Sequence, residues 1–343
     1  MALRFGLPTS IGGLPFADHA TAVEFALENQ PWFPTVPRLR SAGTGLIHQV
    51  ASFIDGAHVA EPGILELADP DISSVRIEST DLRTLTGSFA GLAEFIAQVR
   101  AKHLTESSEF LGVRAGVLGP ATTALALRSA GVPLDLALDI GTTISQTIAV
   151  ALHDELRRAV DGATVAIVLS EPGLVGSMHP TFPLLCGQVH SALVQVVDAL
   201  DTRRNHGPML IGAHVPGRTD WATVIASGVS LISVPVGGNL EGAAKHLQPF
   251  LDAGGAVAWG AVPVDEPLGT TEELLWRRLG AFWCSLVGAG VDPFLLRAQS
   301  FVSTSGGLGH FGVSQASNAF ALVDALSVRV RRQAAGTRLS LGA

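Results

Sequence analysis

Short, almost wholly apolar runs that alternate with longer helical patterns limit the fold of this sequence more than any other feature. Runs such as "TVAIVLSE" (164–171) and "PMLIGAH" (208–214) are typical of parallel strands that are buried on both faces. The predicted strands are 3–11, 73–78, 110–119, 164–171, 208–214, 230–236, 255–263 and 295–303. The predicted helices are 88–102, 134–160, 184–204, 219–227, 239–253, 270–289 and 314–334. Eight strand–helix units in 343 residues predict a (β/α)8 TIM barrel. A doubly wound open sheet is the alternative.

Composition and charge exclude several classes of partner. The net charge is −8 and the sequence has no basic run, which argues against nucleic-acid binding. The apolar runs are far shorter than the roughly 20 residues needed to cross a bilayer, so no membrane partner is expected. Cys186 and Cys284 lie far apart and make no disulfide framework, and the first residues lack the sustained apolar core of a signal peptide. A cytoplasmic setting is therefore expected.

The chain has no obvious internal boundary. No linker rich in Pro, Gly and Ser divides it, so residues 1–343 are predicted to form one barrel domain. Residues 31–72 carry few periodic signals and are predicted to form a rim or cap insertion at one mouth of the barrel. Because the chemistry of such barrels is carried by the loops that follow the strands, the site is expected at the strand ends.

Six short motifs occur in order along the chain. They are "TSIGGLPF", "NQPWFPTVPRLRSAG", "GVLGPATTAL", "IVLSEPGL", "LIGAHV" and "VSTSGGLG". In this order they resemble the catalytic half of cobalamin-independent methionine synthase. The resemblance is closest to the short, single-barrel relatives of that enzyme and more distant to uroporphyrinogen decarboxylase. It covers nearly the whole chain and implies the same barrel fold.

The resemblance also implies a chemistry. Members of the methionine synthase family transfer a methyl group to homocysteine, from a methylfolate or, in short relatives, from a corrinoid. A zinc ion activates the thiol by favouring the thiolate. Of the positions that bind zinc in the family, His214 is the one that this sequence retains as a ligand. The other three positions fall on Pro216, Val234 and Gly306, which cannot bind zinc. The resemblance therefore implies a degenerate zinc site, and no metal is predicted.

Two contacts to the amino-acid substrate are also replaced. In the family's Asp-Glu-Pro motif the aspartate holds the amino group of homocysteine, and here that position is Ser170. The serine of the family's Ile-Gly-Ser motif is Gly13. The frame of the family's site is thus kept, whereas the residues that bind the metal and the amino acid are not.

The candidate site residues all lie in or beside strand-end motifs. Glu171 and His214 are the candidate catalytic residues, with Glu171 as acid, base or amine anchor and His214 as its polar partner. The candidate substrate-binding residues are Ser10, Gly13, Gly119, Pro120, Thr122, Ser170, Asp220, Ser305 and His310.

Structural roles remain open for the same residues. His214 is equally compatible with a histidine satisfied by the backbone, and Glu171 with a capping or pairing role. Asp220 fits a helix cap. A substitute metal site built from His179, His310, Glu171 and His214 has no recognised spacing and is not favoured. Arg38 and Arg40 are expected on the solvated surface, with binding of an anionic substrate as the alternative.

The sequence therefore predicts a methionine-synthase-like barrel enzyme. Its expected activity is that of a diverged one-carbon, methyl or thiol-directed transferase that does not use zinc, with a methylfolate or a corrinoid as the methyl donor to consider. The alternative is a non-catalytic ligand-binding or accessory barrel. A small-molecule ligand is expected in either case, together with a protein partner or a homo-oligomer. The sequence identifies neither the substrate nor the oligomeric state.

Overall fold

The computed structural model describes residues 6–39, 43–69, 87–105, 110–266 and 270–340. In chain order the strands are β1 (Leu7–Pro8), β2 (Gly13–Leu14), β3 (Arg38–Leu39), β4 (Ala57–Ala60), β5 (Ile64–Leu67), β6 (Gly112–Leu118), β7 (Thr164–Ser170), β8 (Met209–His214), β9 (Leu231–Pro235), β10 (Ala256–Val262) and β11 (Ser300–Thr304). The helices are α1 (His19–Asn29), α2 (Leu46–Ala51), α3 (Ala90–Thr105), α4 (Pro120–Ser129), α5 (Leu134–Ala159), α6 (Cys186–Asp201), α7 (Trp221–Ala226), α8 (Ala244–Asp252), α9 (Glu272–Gly288), α10 (Pro293–Ala298) and α11 (Val313–Ser340).

Seven of these strands form one curled sheet in the order β1-β11-β10-β9-β8-β7-β6. All the pairs in it are parallel. The strands follow chain order around the sheet, with β1 next to β11. This order excludes a doubly wound sheet, in which the strand order reverses at a switch point. The α/β architecture with a parallel sheet is therefore confirmed.

An extended segment, residues 32–36, lies between the two edges of this sheet. Its backbone exchanges hydrogen bonds with β6: Arg114 N–H donates to the Pro34 carbonyl at 2.9 Å, and Val36 N–H donates to the Arg114 carbonyl at 2.8 Å. On its other side the Thr35 hydroxyl donates to the carbonyl of Ser10 at 3.2 Å, just beyond β1. The segment therefore contacts the chain at both edges of the sheet.

Side chains alternate between the two faces of the strands, which creates two apolar layers. The layer outside the sheet packs against the helices and includes Val113, Val117 and Ile167. The layer inside the curled sheet is a separate apolar cluster, which we call the interior cluster: Leu7, Phe33, Ala166, Val168, Leu231, Ala256, Ala258 and Phe301. Helices therefore cover one face of the sheet, and the sheet curls around the other.

The region predicted as a rim contains β3, α2 and an antiparallel hairpin of β4 and β5. Residues 70–72 of that range and the predicted strand 73–78 lie outside the described residues. The predicted strand 295–303 is wrong in its first half, where α10 forms. The carboxylate of Asp292 caps this helix by accepting from Phe294 N–H at 2.6 Å and Leu295 N–H at 3.2 Å. Within the described part of the chain, no helix has both the length and the apolar character needed to cross a membrane.

Candidate functional site

The strand ends of the parallel sheet meet at one edge, which we call the mouth. Pairing in register places Ser170 of β7 beside His214 of β8, and His214 beside Ser233 of β9. Immediately after β7, Glu171 N–H donates to the His214 carbonyl at 2.8 Å. The two residues predicted to be catalytic are therefore neighbours at the same edge of the sheet.

The side chain of Glu171 is fully buried and caps helix α4. Its Oε1 accepts from Ala121 N–H at 3.0 Å, and its Oε2 accepts from Thr122 N–H at 2.7 Å and from the Thr122 hydroxyl at 2.5 Å. These N–H groups belong to the first turn of α4, where Gly119 at the N-cap offers no side chain. Glu171 thus supplies from another strand the acceptor that an N-cap residue normally supplies.

The Gly-Pro-x-Thr motif after β6 has a structural explanation in this cap. A Cβ at Gly119 would lie 2.3 Å from the Glu171 carboxyl carbon, so glycine is needed there for the carboxylate to approach. Pro120 occupies the first helical position, where a missing N–H costs nothing. The Thr122 hydroxyl also accepts from Gly173 N–H at 3.0 Å. The motif and Glu171 form one hydrogen-bonded unit.

Opposing effects set the protonation of Glu171. Burial raises the pKa of Glu171 to about 7, although the hydrogen bonds from Thr122 and Ala121 act in the opposite direction. The carboxyl group therefore titrates near neutral pH while it caps α4.

His214 is buried and neutral. Its Nδ1 lies 3.0 Å from the Ser233 hydroxyl oxygen, which fixes the orientation of the ring. Burial lowers the pKa of His214 to about 3, and the positive charges of Arg114 and Arg38 add to this effect. The imidazole is therefore uncharged at physiological pH.

Arg114 is a buried charge that sequence reasoning missed. It lies inside strand β6 and its side chain is 2% exposed. Its Nη1 is buried without a hydrogen-bond partner, and the described residues provide no ion pair for it. Burial and the nearby charge of Arg38 lower the pKa of Arg114 to about 9, so it stays charged at neutral pH. The signal was available in "FLGVRAGVLG", where one arginine interrupts an apolar strand.

Arg38 lies beside it, and the expectation that Arg38 is solvated at the surface is wrong. The residue is half-buried: Nη2 donates to the Ile11 carbonyl at 2.6 Å, and Nη1 is buried without a partner. Burial lowers the pKa of Arg38 to about 10. Arg40 lies outside the described residues.

The positions that the sequence resemblance aligns with a zinc site offer few donor atoms. Pro216, Val234 and Gly306 have no donor atom in their side chains, and two cationic guanidinium groups act on His214. Positive charges this close disfavour a divalent cation. The described ranges also contain no group of three or more His, Cys, Asp or Glu side chains arranged to hold a metal.

A cavity of about 320 Å³ opens at the mouth between the strand ends and the cap hairpin. Arg38, Gly13, Gly307 and His310 line it together with residues of α2 and of the β4–β5 hairpin. Two candidate residues, Gly13 and His310, therefore line this cavity. Glu171 and His214 are not among its lining residues.

The remaining candidate residues hold loops in place. Gly13 approaches Gly307 closely, since a Cβ at Gly13 would lie 3.3 Å from the Gly307 Cα. The Ser305 hydroxyl accepts from Val264 N–H at 3.0 Å. The Ser10 hydroxyl donates to Gln30 Oε1 at 3.5 Å. Asp220 caps α7 through Thr223 N–H at 3.2 Å, which matches the capping role considered for it.

Comparisons with known proteins identify a solved structure with a similar fold. No model of a known protein family matches the sequence, and no curated protein matches it. Among solved structures, a B12-independent methionine synthase from Shewanella sp. W3-18-1, in complex with selenomethionine, is similar with a TM-score of 0.60. The match covers 96% of this chain and 98% of that chain, at 12% sequence identity. The likeness confirms a fold similar to that of the methionine synthase over 96% of this chain.

Proposed function

We propose that this chain is a barrel enzyme that binds a small molecule at its mouth and acts as a diverged one-carbon or thiol-directed transferase without zinc. The observation that carries the proposal is the cavity of about 320 Å³ between the β4–β5 hairpin and the loops that follow β1 and β11, at the carboxyl edge of the sheet. That edge is where barrels of this kind place their substrates. The transferase class rests on the fold shared with the methionine synthase. Segment 32–36 is proposed to take the eighth strand position and close the barrel.

The residues at the mouth suggest how such an enzyme would work. Neutral His214 has its Nδ1 engaged by Ser233 and does not line the cavity, so its Nε2 is proposed to meet only a part of the substrate that extends beyond the cavity. Arg38 lines the cavity and supplies positive charge to it. Glu171 acts as a positioning residue, because its carboxylate is committed to α4 and holds the strand ends against that helix. The methyl donors to test first are methylfolates and corrinoids, as the resemblance implies.

A pair of variants on strand β4 tests the cavity. Ala60 lines it, whereas His58 on the same strand is exposed and pairs with Glu66 at 2.9 Å. Mass spectrometry of molecules retained by the purified protein, followed by binding titrations, should find a small molecule bound to the native chain and to His58→Phe. Ala60→Phe should lose it, because the ring fills the cavity.

Turnover is measured separately, as transfer of a labelled methyl group from each donor class to thiol acceptors. Equal binding by Ala60→Phe and the native chain would show that the cavity is not the site. Ligand binding without any transfer would contradict the transferase and leave a ligand-binding protein.

A further inference from the structure

We propose that Arg114 and Arg38 form an anion-binding site inside the curled sheet, which takes a doubly negative oxyanion group of the ligand, either a phosphate or a pair of carboxylates. The inference rests on the proposed function in one respect, since it names the chemical class of the molecule bound at the same mouth. The contacts of the two guanidinium groups carry it.

The first step is the direction of Arg114. Arg114 is paired in register with Ala166 of β7, and Ala166 belongs to the interior cluster. Residues side by side on neighbouring strands point to the same face of a sheet. The guanidinium of Arg114 therefore points into the space that the sheet encloses, next to apolar residues that offer it no acceptor.

The second step is the position of Arg38. A Cβ at Gly116 would lie 2.5 Å from Nη1 of Arg38, so this guanidinium lies against β6 at the missing side chain of Gly116. Gly116 is two residues beyond Arg114 and therefore on the same face of the strand. The two cations are thus neighbours inside the sheet, and Arg38 also lowers the pKa of Arg114.

The third step is the absence of compensating charge. Nη1 of Arg114 and Nη1 of Arg38 are both buried without a partner. No carboxylate among the described residues forms an ion pair with either arginine. The charged form of each is therefore destabilised, yet both remain cations at neutral pH. Buried charges in proteins are normally paired, so a missing partner indicates a ligand that supplies the negative charge.

The fourth step is the type and the access of that ligand. A guanidinium presents parallel N–H donors that match the oxygens of carboxylate and phosphate groups. Two of them match a group with two negative charges. A neutral or cationic group would leave both arginines uncompensated. Because Arg38 also lines the mouth cavity, the anionic end of a molecule bound there can reach the pair.

The test is thermal denaturation with inorganic phosphate and with malonate, at constant ionic strength set by sodium chloride. Each anion should raise the melting temperature of the native chain in a saturable way, since a ligand bound to the folded state stabilises it by mass action. Arg114→Met and Arg38→Met should each weaken the apparent affinity about tenfold or more. Arg204→Met is the matched control, because Arg204 is exposed and pairs with Asp201 at 2.8 Å. It should respond like the native chain, and the anion with the larger effect identifies the ligand class.

An equal rise in melting temperature in the native chain and in all three variants would overturn the inference, because it would reflect a general effect of salt. A native chain with no saturable response to either anion would overturn it as well. If Arg114→Met does not fold, the test becomes isothermal titration of phosphate or malonate into the native chain and into Arg38→Met. Saturable binding that is lost in Arg38→Met supports the site. Any other result overturns it. An uncharged ligand found at the mouth, with no response to the anions, would contradict the anion site but not the proposed function. Saturable anion binding without transferase turnover would support the anion site and contradict the proposed transferase.

Discussion

The guanidinium of Arg38 occupies the space where Gly116 lacks a side chain, since a Cβ there would lie 2.5 Å from Arg38 Nη1. The relationship explains how a bulky cation fits inside a sheet of closely packed strands. The size of the residue at position 116 therefore determines where the Arg38 guanidinium lies.

Gly116→Ala is therefore expected to displace Arg38 without unfolding the protein. The obstructing atom is at the end of a flexible side chain, so the added methyl group should cost about 1–3 kcal/mol and leave the protein folded. The phosphate-dependent rise in melting temperature should shrink, because the pair of cations is separated. Urea denaturation with and without phosphate measures both effects. A large loss of stability with an unchanged phosphate response would show that Gly116 serves packing alone.

Glu171→Gln is expected to destabilise the protein by about 1–3 kcal/mol at pH 7. The glutamine amide would direct an NH2 group at N–H or hydroxyl donors that the carboxylate now satisfies. Thr122→Val should cost less, because it removes the hydroxyl's bonds with Glu171 and Gly173 but leaves both N–H bonds of the cap. Urea denaturation of the three proteins tests the order. A stable Glu171→Gln that loses ligand affinity would favour a role in binding over a role in capping.

The pH dependence of stability should identify the same carboxyl group. Burial raises the pKa of Glu171 from 4.5 to about 7 in the folded protein, so between these values the folded chain holds a proton that the unfolded chain releases. Stability from this residue is thus fully present below about pH 4.5 and is lost as the pH rises to about 7, by roughly 1–3 kcal/mol. The stability difference between the native chain and Glu171→Gln should therefore widen on acidification from pH 7 to pH 4.5. A difference that narrows would mean that the cap's hydrogen bonds outweigh burial.

Five strands were predicted from the sequence to within two residues at each end: β6, β7, β8, β9 and β10. Each is an apolar run long enough to be buried on both faces, which is a strong local signal. Segment 32–36 was assigned to the rim and not to the sheet edge, because Pro34 lies inside it and Pro31 and Pro37 flank it, and proline is rare inside strands. Helix α4 was missed because Gly119 and Pro120 were interpreted as a loop, whereas proline also begins helices.

The site was predictable where it follows strand ends and not where it lies inside a strand. The strand-end rule placed Glu171 and His214 at one edge, and the structure places them there. It gave no reason to select Arg114, which lies in the middle of β6. Nor could periodicity show that Glu171 caps α4, because that contact joins residues about 50 positions apart, a tertiary relationship. Whether the candidate residues bind or transform a substrate remains a prediction.

The protein is expected to purify without stoichiometric zinc and to keep its melting temperature in the presence of chelators. Catalytic zinc sites normally use three protein ligands, and binding by about 10 kcal/mol or more requires several ligands acting together. The sequence resemblance aligns His214 alone with a zinc ligand; its Nδ1 is engaged by Ser233, and the charges of Arg114 and Arg38 disfavour a cation there. Methylation of homocysteine should also be absent, because thiol activation by zinc and the family's amine anchor are both missing. Elemental analysis of the native chain and of His214→Ala checks the metal content, and the two should agree. One zinc per native chain that is lost in His214→Ala, with a fall in melting temperature on chelation, would restore a zinc-dependent methyltransferase.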